Sequence, residues 1–320
     1  MCRHLARLGP PVALGEVLVA PPHALFRQSW APRRQRNGTV NADGFGVGWY
    51  ADGDPLPARY RRARPIWGDL GFADLARVVR TGALLAAVRD ATEPGADGEA
   101  AAAPFADGPW LFSHNGSVGG WPGSLAALAA SLPAEELLTL AARNDSALVW
   151  ALLLHRLRAG DEPGPVRRSF AGPRRLAPHL AALSESPKYG RAIHNADPPP
   201  CDAPPWPERH RGTPCTRLPR ADPRISAGQA LGQALGDTVL DVAAAAPASR
   251  LNLLLTDGER IAATAWGDTL WYLTDPGGHR TVVASEPYDD DARWREVPDR
   301  TLLVATRDDV LLSPLKEPPE

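Results

Sequence analysis

The sequence predicts an α+β fold in which antiparallel strands are layered against helices. Three observations carry that expectation: a strand pattern alternating with glycine at residues 44–50, a strongly apolar helix at 145–158, and a run of hairpin-like segments from 251 to 312. In chain order, Leu5, Val12 and Val17 belong to an N-terminal strand-and-turn region. Phe45, Val47 and Trp49 alternate with glycines at a period of two, and Asp52-Gly53 supplies the turn that follows. Phe72, Leu75, Ala76 and Val79 recur at helical spacing, and residues 84–88 return as a strand. Residues 110–112 read as a short strand running into Ser113-His114-Asn115-Gly116, which has the composition of a turn. The helix at 145–158 carries Leu148, Val149, Leu152 and Leu153 on one face. The C-terminal strands, 251–255, 261–266, 269–273, 281–284, 302–305 and 310–312, are punctuated by Asp257-Gly258 and Pro276-Gly277-Gly278.

Composition changes abruptly near residue 161. Of 34 prolines, 14 fall within residues 161–227, and that stretch carries a net +4 while the whole chain is −2. Such a segment gains too little burial to offset its ordering entropy, so residues 161–228 are expected to be a disordered, Pro/Arg-rich insertion, with a weak helix at 176–183. Removing it joins the helix ending near Arg158 to another over 229–246, as expected of a surface excursion within a single domain spanning 1–320.

The balance of 35 basic and 37 acidic residues excludes a chain-wide field for nucleic acid or acidic lipid. The apolar run at 148–154 is far short of the about 20 residues that span a bilayer. Arg3, His4 and Arg7 precede no apolar segment, and three cysteines make no disulfide framework, so a cytoplasmic protein is expected; oligomeric state stays open, a homo-oligomer included. Gly44, Gly46 and Gly48 imitate part of a dinucleotide fingerprint, but the segment is itself a strand, whose glycines would let a substrate approach the backbone. Cys201, Cys215 and His210 lack the paired short spacings of a zinc site, so no metal is expected.

Cys2 is the most informative position. A small residue after Met1 permits removal of the initiator, which leaves an α-amine and a thiol on one residue; the amine, of pKa near 7.7–8.0, can take the thiol proton. Asn115 and Gly116 offer a side-chain amide and a backbone N–H, two donors suited to a tetrahedral oxyanion. Arg89, ending a strand, can grip a carboxylate bidentately. Asp145 either caps its helix or faces a cavity and binds an ammonium. Together these groups describe a site for a glutamyl substituent. Asn41 and Asp43 either line the pocket or shape a loop, and His114 is either an acid–base group or a structural histidine bonding a loop carbonyl. Two arginine clusters, at 33–36 and 59–64, form a solvated face or a rim attracting anions. Trp30, Trp67 and Trp121 pack in a core or lid, or box a trimethylammonium group.

Met1-Cys2-Arg3, residues 41–50 (NADGFGVGWY), Arg89-Asp90-Ala91-Thr92, Ser113-His114-Asn115-Gly116 and Asn144-Asp145-Ser146 occur in an order that resembles the class II, N-terminal-nucleophile, glutamine amidotransferases. Trp30-Ala31-Pro32-Arg33 and Ala284-Ser285-Glu286-Pro287 are similar to the EgtC branch of that family, which acts in ergothioneine biosynthesis. The resemblance covers residues 1–160 and 229–315. It implies a four-layer αββα sandwich and, without metal or organic cofactor, hydrolysis of γ-glutamyl-hercynylcysteine sulfoxide, a small-molecule γ-glutamyl substrate. It also implies Cys2 as nucleophile, Asn115 and Gly116 as the oxyanion hole, and Arg89 with Asp145 as the clamp on the glutamyl head group.

Overall fold

The computed structural model describes residues 2–36, 38–91, 98–160 and 223–316. The first half of the chain forms β1 (Arg3–Ala13), α1 (Leu14–Leu18), α2 (Leu25–Gln28), β2 (Phe45–Trp49), β3 (Ala58–Arg62), α3 (Leu70–Val78), β4 (Arg80–Val88), β5 (Phe105–Asp107) and β6 (Trp110–Ser117). Four helices follow: α4 (Ala126–Ala130), α5 (Ala134–Leu138), α6 (Asp145–Gly160) and α7 (Pro223–Ala245). The remainder is β7 (Arg250–Thr256), β8 (Ile261–Ala265), β9 (Trp271–Asp275), β10 (Arg280–Ala284), β11 (Arg295–Glu296), β12 (Thr301–Ala305) and β13 (Val310–Pro314). Among the described residues, no helix is long and apolar enough to cross a membrane.

The strands make a seven-stranded sheet, β11-β9-β10-β1-β4-β2-β3, and a six-stranded sheet, β13-β12-β8-β7-β6-β5. Strand alternation assigns each side chain to a layer. In β1, Leu5 faces outward against α1 and α3, whereas Ala6 and Leu8 face the second sheet. In β4, Leu84, Ala86 and Val88 join the outer cluster and Ala83 and Leu85 the inner one. The second sheet mirrors this: Leu254, Ile261 and Ala263 meet the first sheet, while Leu251, Leu253 and Ala262 pack beneath α6 and α7. This gives the four-layer αββα order, with three apolar layers in which each fully buried leucine contributes about 1.5–3 kcal/mol.

Four expectations change. Residues 14–18 are a short helix rather than a turn, too brief for periodicity to reveal. The last helix begins at Pro223 instead of near 229, since proline is tolerated in a first turn where no N–H partner is needed. The rest of the expected insertion, with its weak helix at 176–183 and the residues Cys201, His210 and Cys215, lies outside the described residues. Gly46 and Gly48 admit no substrate: their open faces are filled by Ala103-Pro104 and by the Leu111 side chain of the other sheet. Ser113 to Gly116 form no turn but continue β6, with Asn115 opposite Asn252 and Gly116 opposite Leu251. Long-range pairing with β7 overrides the local turn preference.

Gly116 is required by that pairing. A Cβ there would run into the Arg250 carbonyl and lie 2.6 Å from the His114 ring. Gly116→Ala is therefore expected to destabilise the fold by about 2–3 kcal/mol, the cost of overpacking a site that cannot relax, read as a lower urea midpoint at unchanged slope.

The arginines at 59–62 lie on β3, an edge strand, away from the cleft described below, and form no anion-attracting rim to it. Arg59 donates to the Pro104 carbonyl at 3.2 Å and Arg61 to those of Ala100 and Ala102 at 3.3 and 3.2 Å. Arg62 stacks over Tyr60 at 4.1 Å and pairs with Asp69 at 3.5 Å. In the other cluster, the backbone N–H groups of Arg33 and Arg34 donate to the buried Glu286 carboxylate at 3.0 and 2.6 Å.

Candidate active site

Register builds the site. β1 and β4 are antiparallel with Arg3 opposite Val88, so Cys2, just before β1, lies beside Arg89, just after β4. β2 pairs Phe45 with the same Val88 and closes one wall. The second sheet contributes His114 and Gly116 of β6, and the N-terminus of α6 contributes Asp145. Cys2, Arg89, Gly116, His114 and Asp145 line one cleft.

Asp145 does not cap its helix. Asn144 does, with its Oδ1 accepting from the Ala147 N–H at 2.8 Å. The Asp145 carboxylate instead accepts from the backbone N–H groups of Val118 at 2.9 Å and Ser146 at 2.7 Å. These fixed donors hold a charge that is 9 % exposed, on the cleft wall. Arg89 is tied at its backbone, donating to the Gly44 carbonyl at 2.8 Å and accepting from the Asp43 N–H at 2.9 Å.

Asn41 and Asp43 stand behind the wall, outside the cleft lining. The Asn41 amide is fully buried and donates to the Gln28 carbonyl and to Gln35 Oε1, at 3.0 and 2.9 Å. Asp43 accepts from the Ala91 N–H at 2.8 Å, steadying the loop that follows Arg89. Of the two readings each residue allowed, the geometry fits loop shaping. His114 reaches the cleft, but both ring nitrogens are engaged: Nε2 lies 2.9 Å from the Arg250 carbonyl and Nδ1 3.0 Å from the Ser146 hydroxyl. A carbonyl only accepts, so Nε2 carries the proton, and the single proton of the Ser146 hydroxyl has two possible acceptors, His114 Nδ1 and Asp145 Oδ1 at 3.2 Å. The carbonyl it bonds belongs to a strand residue, Arg250 of β7, where a loop carbonyl was expected. Asn115 lies outside the cleft lining, directly beside the lining residue Gly116; it is fully buried between the sheets, and its amide donates to the Ser285 hydroxyl at 3.3 Å. Trp121, Arg143 and Ser146 also line the cleft, whereas Trp30 and Trp67 do not; those two stack edge-to-face at 5.7 Å near the surface. Sequence reasoning missed Arg143 and Ser146, whose one available signal was their closeness to Asp145.

Desolvation raises the Cys2 thiol above its ordinary value. The positive chain terminus, a backbone hydrogen bond at Asp90 and the Arg89 guanidinium oppose that rise, and the Asp145 carboxylate reinforces it. His4, two residues along the same face of β1, is buried, with Nδ1 3.1 Å from the Ser113 hydroxyl. Burial, then the neighbouring Arg3 and His114, push its pKa down to about 3. The unfolded chain therefore binds a proton at His4 that the folded chain refuses between about 3 and 6.5. This contribution is fully present above pH 6.5 and is lost as pH falls, by about 1.4 kcal/mol per unit inside the window. Urea titrations from pH 4 to 7 are expected to show this slope, and His4→Gln to flatten it.

No protein-family profile matches the chain. The γ-glutamyl-hercynylcysteine sulfoxide hydrolase of Mycobacterium tuberculosis (strain CDC 1551 / Oshkosh) is 36 % identical over 315 residues, 98 % of this chain and 97 % of that protein. The protein of the same name from Mycolicibacterium smegmatis is 34 % identical over 317 residues, 98 % and 100 % of the two chains. Among solved structures, a class II glutamine amidotransferase domain protein of Silicibacter pomeroyi aligns with a TM-score of 0.55 at 19 % identity, over 99 % of this chain and 100 % of that one. This last likeness speaks for the fold alone. Near-complete alignment with the two hydrolases settles the family: the chain belongs to the class II, N-terminal-nucleophile, glutamine amidotransferases, in the branch of the γ-glutamyl-hercynylcysteine sulfoxide hydrolases.

Proposed function

We propose that this protein is a γ-glutamyl amidohydrolase that cleaves γ-glutamyl-hercynylcysteine sulfoxide to glutamate and hercynylcysteine sulfoxide. The observation that carries the reading is the convergence of Cys2, Arg89, Gly116 and Asp145 on one cleft. A glutamyl head group is a zwitterion: Arg89 takes its carboxylate and the amide-held Asp145 its ammonium, which leaves the γ-carbonyl toward Cys2. Because burial raises the thiol, a local base is needed, and the α-amine freed by loss of Met1 takes the sulfur proton. The thiolate adds to the γ-carbonyl, and the oxyanion is held by the Gly116 N–H and the Asn115 amide. The C–N bond breaks as the charged amine returns its proton to the leaving nitrogen, giving a γ-glutamyl thioester and a free amine. Water, deprotonated by the same α-amine, adds to the thioester; the C–S bond breaks and glutamate leaves.

The test compares γ-glutamyl-hercynylcysteine sulfoxide with glutamine as substrates, following glutamate by chromatography. A kcat/KM at least about 100-fold higher for the sulfoxide is expected, since the cleft lining offers Trp121 and Arg143 beyond the groups that grip a glutamyl head. Preference for glutamine would point to a glutaminase serving a separate synthase. Binding of the sulfoxide without turnover would point to a silent γ-glutamyl-binding protein.

A further inference from the structure

Ser285 lies just past β10 and is fully buried. Its hydroxyl accepts two hydrogen bonds that come from different sheets. One is from the backbone N–H of His4, at 3.0 Å, on the strand that begins beside Cys2. The other is from the Asn115 amide, at 3.3 Å, on β6. The Ser285 N–H in turn donates to the His4 carbonyl at 2.9 Å, and its own carbonyl accepts from Thr269 Oγ1 at 2.9 Å, so the residue has little freedom to shift. The Asn115 Oδ1 is buried without a hydrogen-bond partner among the described residues. An asparagine amide has two N–H donors. With Oδ1 unengaged, the bond to Ser285 is the contact that sets the rotation of this amide, and it leaves the second N–H to point elsewhere.

We infer that Ser285 is a positioning residue: through one hydroxyl it fixes the Asn115 amide relative to the strand that carries Cys2, so that the remaining amide N–H meets the oxyanion. The inference rests on the role given to Asn115 above. It asks nothing of the ground state, because an uncharged carbonyl gains little from that donor. Ser285 therefore acts on kcat and leaves KM nearly alone.

The experiment is a double-mutant cycle with a labelling control, on the full chain. Ser285→Ala is expected to lower kcat by about 10- to 50-fold with KM within about threefold, and Asn115→Ala to lower it by about 10²- to 10³-fold. In the Asn115→Ala background, Ser285→Ala is expected to change kcat by less than about threefold, because its effect passes through the amide already removed. Alkylation of Cys2 by iodoacetamide forms no oxyanion, so its rate is expected to stay that of the wild type in every variant; a merely structural loss would change it. Ser285→Thr, which keeps the hydroxyl, is expected to restore kcat to within about fivefold. Wild-type kcat in Ser285→Ala, an equal loss in both backgrounds, or failure of a normally alkylated Ser285→Thr to recover activity each overturns the inference. Wild-type turnover in Asn115→Ala is the separate result that would remove Asn115 from the reaction, and the positioning role with it.

Discussion

Cys2→Ala is expected to lose hydrolysis by about 10⁵-fold or more, the scale seen when a covalent nucleophile is removed from its constellation. The same cleft, with Arg89 and Asp145 in place, should still bind the substrate, so calorimetry on this variant is expected to return a binding isotherm without product. A second form separates sulfur from amine: a chain in which Met1 is retained keeps the thiol but moves the free amine one residue away. Its turnover is expected to fall by about 10²- to 10⁴-fold, the range of general acid–base assistance. Intact mass establishes which form is in hand. Full turnover by either form removes the proposed chemistry. With the thiol raised by burial, the wild-type alkylation rate is expected to climb with pH from neutral into the alkaline range and not to level off below pH 8.

The second large effect belongs to Asp145→Asn, for which kcat/KM is expected to fall by about 10²- to 10³-fold. The carboxylate meets the N–H groups of Val118 and Ser146, and it lies on the wall of the cleft. An amide of the same shape removes the negative charge and turns an NH₂ toward at least one of those donors. A broken, partly buried charge pair of this kind costs about 3–5 kcal/mol. The cleanest check uses a substrate analogue with hydrogen in place of the α-amine. The wild type is expected to discriminate strongly between substrate and analogue, and the variant hardly at all. An unchanged ratio would mean that Asp145 holds the cleft together without touching the ammonium.

The layers were legible wherever a strand alternates two kinds of apolar environment. Leu84, Ala86 and Val88 against Ala83 and Leu85 make β4 readable over 84–88, but not over its first residues, Arg80 to Ala83. β3 was not, because Ala-Arg-Tyr-Arg-Arg has no apolar face; it is a strand by virtue of its ladder with β2. Asn115-Gly116 misled for a related reason. The pair favours turns locally, and only the β7 backbone, more than 130 residues away, holds it extended. Cys2, Arg89, Gly116 and Asp145, which share the cleft, could be singled out because each stands at a telling place in the sequence: residue 2, a strand end, an Asn-Gly pair, a helix start. Ser146 and Ser285 stand inside the motifs at 144–146 and 284–287, yet a hydroxyl there announces no chemistry of its own. What they do rests on through-space bonds, Ser146 to His114 and Ser285 to His4 and Asn115, and nothing in a serine's neighbours specifies those.

The arginines of β3 have a further consequence for how copies of the chain meet. A two-sheet sandwich leaves open borders, and an uncovered border is a template on which another chain can extend the ladder. On the β3 border the guanidinium groups of Arg59 and Arg61 reach across to carbonyls of residues 100–104. A second copy pairing through the same border would bring its own arginines against these, like charge against like charge. The positive row thus works as a fence between molecules, and swapping it for threonine or valine would invite end-to-end ribbons.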